Sequence, residues 1–155
     1  MAAATAISKK ASDYVDHDAI FEELAATKCR PIMYNYVKAF LQERILTIAI
    51  GDHKTGPIPH PQRGIPHGAV LSPTLFTLAT LKIHRALSQV EDIKHFICAD
   101  DVTIWSTTGS PGHIQTQLQE ALNRAQQAAT TIGLPCSAEK RTANTSQQTV
   151  ETSSH

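Results

Sequence analysis

The chain has 155 residues, 14 basic against 14 acidic side chains, and a hydrophobic fraction of 41%. That length fits one domain burying about two thirds of its unfolded surface, while the absence of an apolar run of about 18 residues excludes a membrane-spanning helix, and the opening MAAATAISKKAS lacks the apolar region of a secretory signal. A formal net charge of zero speaks against an autonomous nucleic-acid binder, which carries a basic surplus. Cys29, Cys98 and Cys136 are far apart and odd in number. They predict free thiols in a reducing, intracellular setting, nucleus or cytoplasm, and no disulfide framework or zinc knuckle.

The first periodic stretch is DHDAIFEELAAT, Asp16–Thr27, with Ile20, Phe21, Leu24 and Ala25 on one helical face and Asp16 or His17 near its start. PIMYNYVKAFLQER follows, with Pro31 suited to the first helical position and Ile32, Tyr36, Phe40 and Leu41 as the apolar face. RILTIAIGDHKTG, Arg44–Gly56, reads as a strand entering a turn at Gly51-Asp52. Gly56–Gly68 holds four of the eight prolines and three of the seven glycines, and reads as loop.

That loop opens into a helix with Ser72 as N-cap and Pro73 as first helical residue, running to about Gln89 on a stripe of Leu75, Leu78, Ala79, Lys82, Ile83, Ala86 and Leu87. IKHFICA and VTIWST form a hairpin, Ile93–Ser106, expected at the centre of the sheet, with Phe96 and Trp105 as core aromatics. His113–Gly133 is an amphipathic helix ending on a glycine C-cap. The order predicts an α+β layer fold, an antiparallel sheet covered on one face by helices. It occupies residues 1–141, with 142–155 a polar, disordered tail.

The hairpin turn carries Asp100 and Asp101. Two charges about 4 Å apart repel by about 4 kcal/mol at a protein surface, and an oxygen-rich pair of this kind suits magnesium, a hard cation bound by carboxylates and phosphates. In isolation an Asp-Asp pair is ordinarily a solvated turn. His53, His60 and His67 recur every seven residues without a metal geometry, and read as surface side chains.

Four ordered stretches change the weighting. KKASDYVDHDAI, RGIPHGAVLSPTLF, FICADDVTIW and GLPCSAEKR together resemble the palm of a reverse transcriptase, an RNA-directed DNA polymerase, most like those of non-LTR retrotransposons. The resemblance implies two-metal nucleotidyl transfer on an RNA template and DNA primer, with deoxynucleoside triphosphates as substrates and Mg2+, or Mn2+, as cofactor. It makes Asp100 and Asp101 the catalytic, metal-binding pair. Gly64, His67, Gly68, Ser72 and Pro73 match the loop and helix start that pack against template and incoming nucleotide, and Lys140 a lysine near the triphosphate. It indicates nothing about oligomeric state.

The departures are specific. The resemblance places Ile7 where the family has its first catalytic aspartate and Ser12 where it has an aromatic sugar gate; His67 replaces a glutamine and Cys98 an aromatic, the cysteine expected to pack as a small hydrophobe. Fingers and thumb are absent, so a fragment of a transposable element with little or no activity of its own is expected. The alternatives are a non-catalytic nucleic-acid or protein interaction module on a palm scaffold, or another palm-like magnesium enzyme.

Overall fold

The computed structural model describes residues 2–6, 11–42, 44–59, 63–99, 101–134 and 144–145. Strands β1 (Ala2–Ala6), β6 (Lys94–Cys98), β7 (Asp101–Ser106) and β8 (Asn144–Thr145) form one sheet in the order β6-β7-β1-β8. Every pairing is antiparallel. Helices α1 (His17–Ala26), α3 (Ser72–Leu87) and α4 (Pro111–Thr131) make the second layer, and α2 (Pro31–Leu41) packs on α1. The predicted α+β arrangement is the observed one.

Period-two alternation puts Val102, Ile104 and Ser106 of β7 in the interior while Thr103 and Trp105 face the other way. Against the buried row lie Leu75, Ala79, Ile83 and Leu87 of α3, and Leu118, Ala121, Ala125 and Ala129 of α4. The alanines recur every four residues, so α4 presents a narrow face that lets helix and sheet approach closely. Glu23 of α1 is buried, and Arg85 of α3 donates to it at 2.8 Å, which ties the two helices together.

Several sequence expectations change. The hairpin is not central as a unit: β7 lies between β6 and β1, but β6 is an edge strand with Lys94, Phe96 and Cys98 exposed. Phe96 is 60% exposed and Trp105 half-buried, so neither is a core aromatic, and Cys98 does not pack inside. Both sit on the face that the helices leave open.

In α2 the buried residues are Val37 and Leu41, with Ile32 79% and Tyr36 61% exposed. Leu41 of the expected face is buried and Phe40 packs against the core, while Tyr34 and Val37, at helical spacing with Leu41, take the inward places expected of Ile32 and Tyr36. Tyr34 meets Phe21 of α1 with ring centroids 5.8 Å apart, and that contact sets which row faces inward.

Arg44–Gly56 is not one strand. It divides into β2 (Ile45–Leu46), β3 (Ala49–Ile50) and β4 (His53–Lys54), and β3 turns back on β4 at Gly51, whose φ is +57°. The stretch expected to be wholly loop contains β5 (Ile58–Pro59), which pairs with β2. Proline is tolerated there because a two-stranded ladder leaves it on an edge. Ser72 is the first helical residue of α3 rather than its cap; Leu71 holds the cap position, and the Ser72 hydroxyl donates to the Pro66 carbonyl instead. β8 falls within the segment expected to be tail, paired with Ala2 and Ala3.

The end of α4 matches its sequence. Leu134 N–H donates to Ala129 O at 2.9 Å and Gly133 N–H to Thr130 O at 3.1 Å, the Schellman pattern. Gly133 has φ +81°, and a Cβ on it would lie 2.7 Å from Tyr14 O; Gly64, also φ +81°, would meet Asp13 O at 2.8 Å. Gly68 has φ +80° but open space around it. Gly64→Ala and Gly133→Ala are therefore expected to lower stability by about 2 kcal/mol or more, and Gly68→Ala by about 1 kcal/mol, from the left-handed backbone alone. Urea unfolding of the three variants measures the difference.

Candidate active site

Residues Ser12–His17 act as a rail. Gly64 N–H donates to Val15 O and Ile65 N–H to Ser12 O, both at 2.8 Å, and Asp16 N–H donates to Ile132 O at 3.0 Å. His17 is buried, and its Nε2 donates to the Gly64 carbonyl at 2.8 Å. A carbonyl only accepts, so this bond fixes the tautomer and leaves His17 Nδ1 buried without a partner among the described residues. Arg63 Nε pairs with Asp16 Oδ1 at 2.9 Å, and His67 Nε2 with Asp13 Oδ1. The proline-rich loop is thereby pinned at both ends of its last turn before α3.

Pinning the loop creates a groove of about 710 Å³. It is lined by Ala11 and Ser12, by loop residues Ile65–Val70, by Ser72, Pro73, Phe76 and Thr77 of α3, and by Ala99 of the β6-β7 turn. Apolar lining with a few hydroxyls and a helix N-terminus suits a ligand with a flat apolar part and an anionic part. Val70 is 99% exposed and projects from the rim.

The turn has its own constraint. Cys98 pairs with Asp101 across it, and Ala99 has φ +50°, a left-handed conformation that costs an alanine about 1–2 kcal/mol. A tight two-residue connection between the strands demands that backbone. Strain held at such a point is typical of functional turns.

Residues 7–152 match the family model described as reverse transcriptase (RNA-dependent DNA polymerase). The chain belongs to the reverse transcriptase family. Among its relatives, the RNA-directed DNA polymerase from mobile element jockey of Drosophila melanogaster is 32% identical over 114 residues, 71% of this chain and 12% of that protein. The chain spans about an eighth of that relative's length. The solved structure of apo telomerase from Candida Tropicalis, truncated from its C-terminal domain, superposes with a TM-score of 0.73 at 10% identity, over 96% of this chain and 31% of that one. That likeness identifies the fold as a polymerase palm.

Within this reverse transcriptase domain the structure gathers His67, Gly68, Ser72 and Pro73 around one groove, together with Ser12. Gly64 does not line it; its missing Cβ admits the Asp13 carbonyl instead. Asp101 opens β7 as an exposed residue two positions from the groove's Ala99. Asp100, Lys140, Ile7 and His60 lie outside the described residues. Of the other histidines in the seven-residue series, His53 and His67 are exposed, as expected.

Three features escaped the sequence reading. His17 was legible only as a residue near a helix start; its burial depends on a partner 47 residues away. Phe76 and Thr77 line the groove because α3 begins at Ser72, and Ala99 because the turn is tight. The backbone at Ala99 yields a test. Ala99→Gly is expected to preserve stability or raise it by up to about 1 kcal/mol, whereas Ala99→Val should lower it by more than about 1 kcal/mol, since a β-branched residue fits φ > 0 worst. Chemical denaturation of the purified domain distinguishes the two.

Proposed function

We propose that this domain serves as the palm of an RNA-directed DNA polymerase, with the groove between Ser12 and α3 receiving the incoming deoxynucleotide beside an RNA template and DNA primer. The observation that carries the reading is the convergence of Ser12, Gly68, Ser72, Pro73 and Ala99 on one groove next to the acidic turn. Gly68, open on its side-chain face, lets backbone approach a base or sugar. The start of α3 favours the triphosphate's negative charge, and Lys140 is proposed to add a cation to it.

Reverse transcriptases use divalent metals. In this chain Asp100 and Asp101 would hold Mg2+, with Mn2+ as a substitute, and a bound ion would supply charge neutralisation and an activated primer hydroxyl. The donor set is short. The position resembling the first catalytic aspartate is Ile7. Supporting this reading, Ala6, the last residue of β1, pairs with Val102, the neighbour of Asp101.

We infer that the isolated chain binds metal weakly and synthesises little DNA. Purified protein given an RNA template, a DNA primer, deoxynucleotides and Mg2+ is expected to show no extension above background; robust incorporation lost in Asp100→Ala would overturn that expectation. Ile7→Asp is expected to tighten Mn2+ binding by roughly tenfold, about 1.4 kcal/mol, as a further carboxylate joins the turn. Isothermal titration of both proteins with MnCl2 measures it, and equal affinities would mean that position 7 does not reach Asp101. Salt-sensitive RNA binding without incorporation would mark a non-catalytic module instead.

A further inference from the structure

A second cluster lies away from the groove. His84 is exposed on the last turn of α3, and His95 is half-buried as the second residue of edge strand β6. His95 pairs with Ile104 across the ladder, so its side chain points to the helical layer. There its Nε2 meets His84 Nδ1 at 2.8 Å, with ring centroids 4.8 Å apart and planes at 59°. The rings meet edge to edge rather than stacking, and each is mounted on a regular element.

We propose that His84 and His95 form a two-imidazole chelate for one divalent transition-metal ion, nickel(II) or copper(II) rather than zinc(II). The argument is the separation of the facing nitrogens. Metal–imidazole bonds of about 2.0–2.1 Å span about 2.9 Å at the right angle of tetragonal coordination, but about 3.3 Å at the tetrahedral angle of zinc. The observed 2.8 Å is the length of the hydrogen bond between the two rings, so it puts both nitrogens within reach of one ion without selecting its angle; the preference for copper(II) and nickel(II) follows their place in the affinity order of divalent ions for nitrogen ligands. Imidazole is the ligand that suits these ions, and either ring nitrogen can serve.

In the metal-free pair one ring donates its N–H to the other. To bind an ion, the donor moves that proton to its own second nitrogen, so both facing nitrogens become lone pairs with no change in charge. The remaining coordination positions fall to water, since no third His, Cys, Asp or Glu joins the pair among the described residues. This nitrogen site is chemically distinct from the acidic turn and independent of polymerase activity.

Its place in the fold has a mechanical consequence. His84 lies twelve residues along α3 from Ser72, about 18 Å at 1.5 Å per residue, and β6 leads from His95 to the Ala99 turn. An ion at the pair ties together the far ends of the two elements whose near ends border the groove.

The test uses the full chain with NiCl2, CuCl2 and ZnCl2, alongside His84→Ala, His95→Ala and the double variant. One nickel(II) per chain is expected beyond the double variant's background, lost in each single variant and bound at least as tightly as zinc(II). The copper(II) electron paramagnetic resonance spectrum of the unaltered protein is expected to show two equatorial imidazole nitrogens, a readout that stands even if a variant fails to fold. Nickel should also raise the Tm of the unaltered chain but not that of the variants. Equal binding by the double variant, zinc(II) preferred over nickel(II), or a copper spectrum without paired imidazoles would each overturn the proposal.

Discussion

The packing of Ser12–His17 between two glycines is the constraint on which the rest depends. Tyr14 O passes where a Cβ of Gly133 would sit, and Asp13 O where a Cβ of Gly64 would sit. Through these approaches the segment reaches the end of α4 on one side and the proline-rich loop on the other, with hydrogen bonds to Ile132, Gly64 and Ile65. Each approach needs a residue that is both left-handed and without a side chain, and only glycine meets both demands without strain. The buried His17 completes the join by holding the Gly64 carbonyl.

The groove follows from that join. Loop residues 65–70 would otherwise carry the conformational freedom of a long connector, yet they form a fixed lining because their leading end is fixed to the rail and their trailing end continues into α3. Ser72 adds to this by bonding back to Pro66, a use of its hydroxyl that replaces helix capping. The result is a preformed groove that the strained Ala99 turn also lines. A palm needs rigid placement more than covalent chemistry, because nucleotidyl transfer depends on position and charge.

Much of this was legible from local pattern. Helix α1, the glycine stop of α4 and the two arms of the β6-β7 hairpin follow from periodicity, Gly and Pro placement and β-branched runs. The inward face of α2 was legible only in Phe40 and Leu41, since two apolar rows share that helix and Phe21 selects between them. Strand β1, Ala2–Ala6, was missed for a related reason: an alanine-rich stretch has no strand signature, and pairing along β7 makes it one. Phe96 shows the converse, an apolar residue in an apolar run that tertiary structure leaves on the open face.

The candidate site divides in the same way. The ordered motifs by themselves pointed to the family and to the loop that lines the groove, because glycine, proline and small polar residues act through sequence-local patterns. Only the tertiary structure decided that Gly64 serves the protein's own backbone while Gly68 faces open space, that His17 is an internal donor, and that His84 and His95 meet. These are distances between residues far apart in the chain, fixed by how helices and strands pack, and no local pattern of residues encodes them.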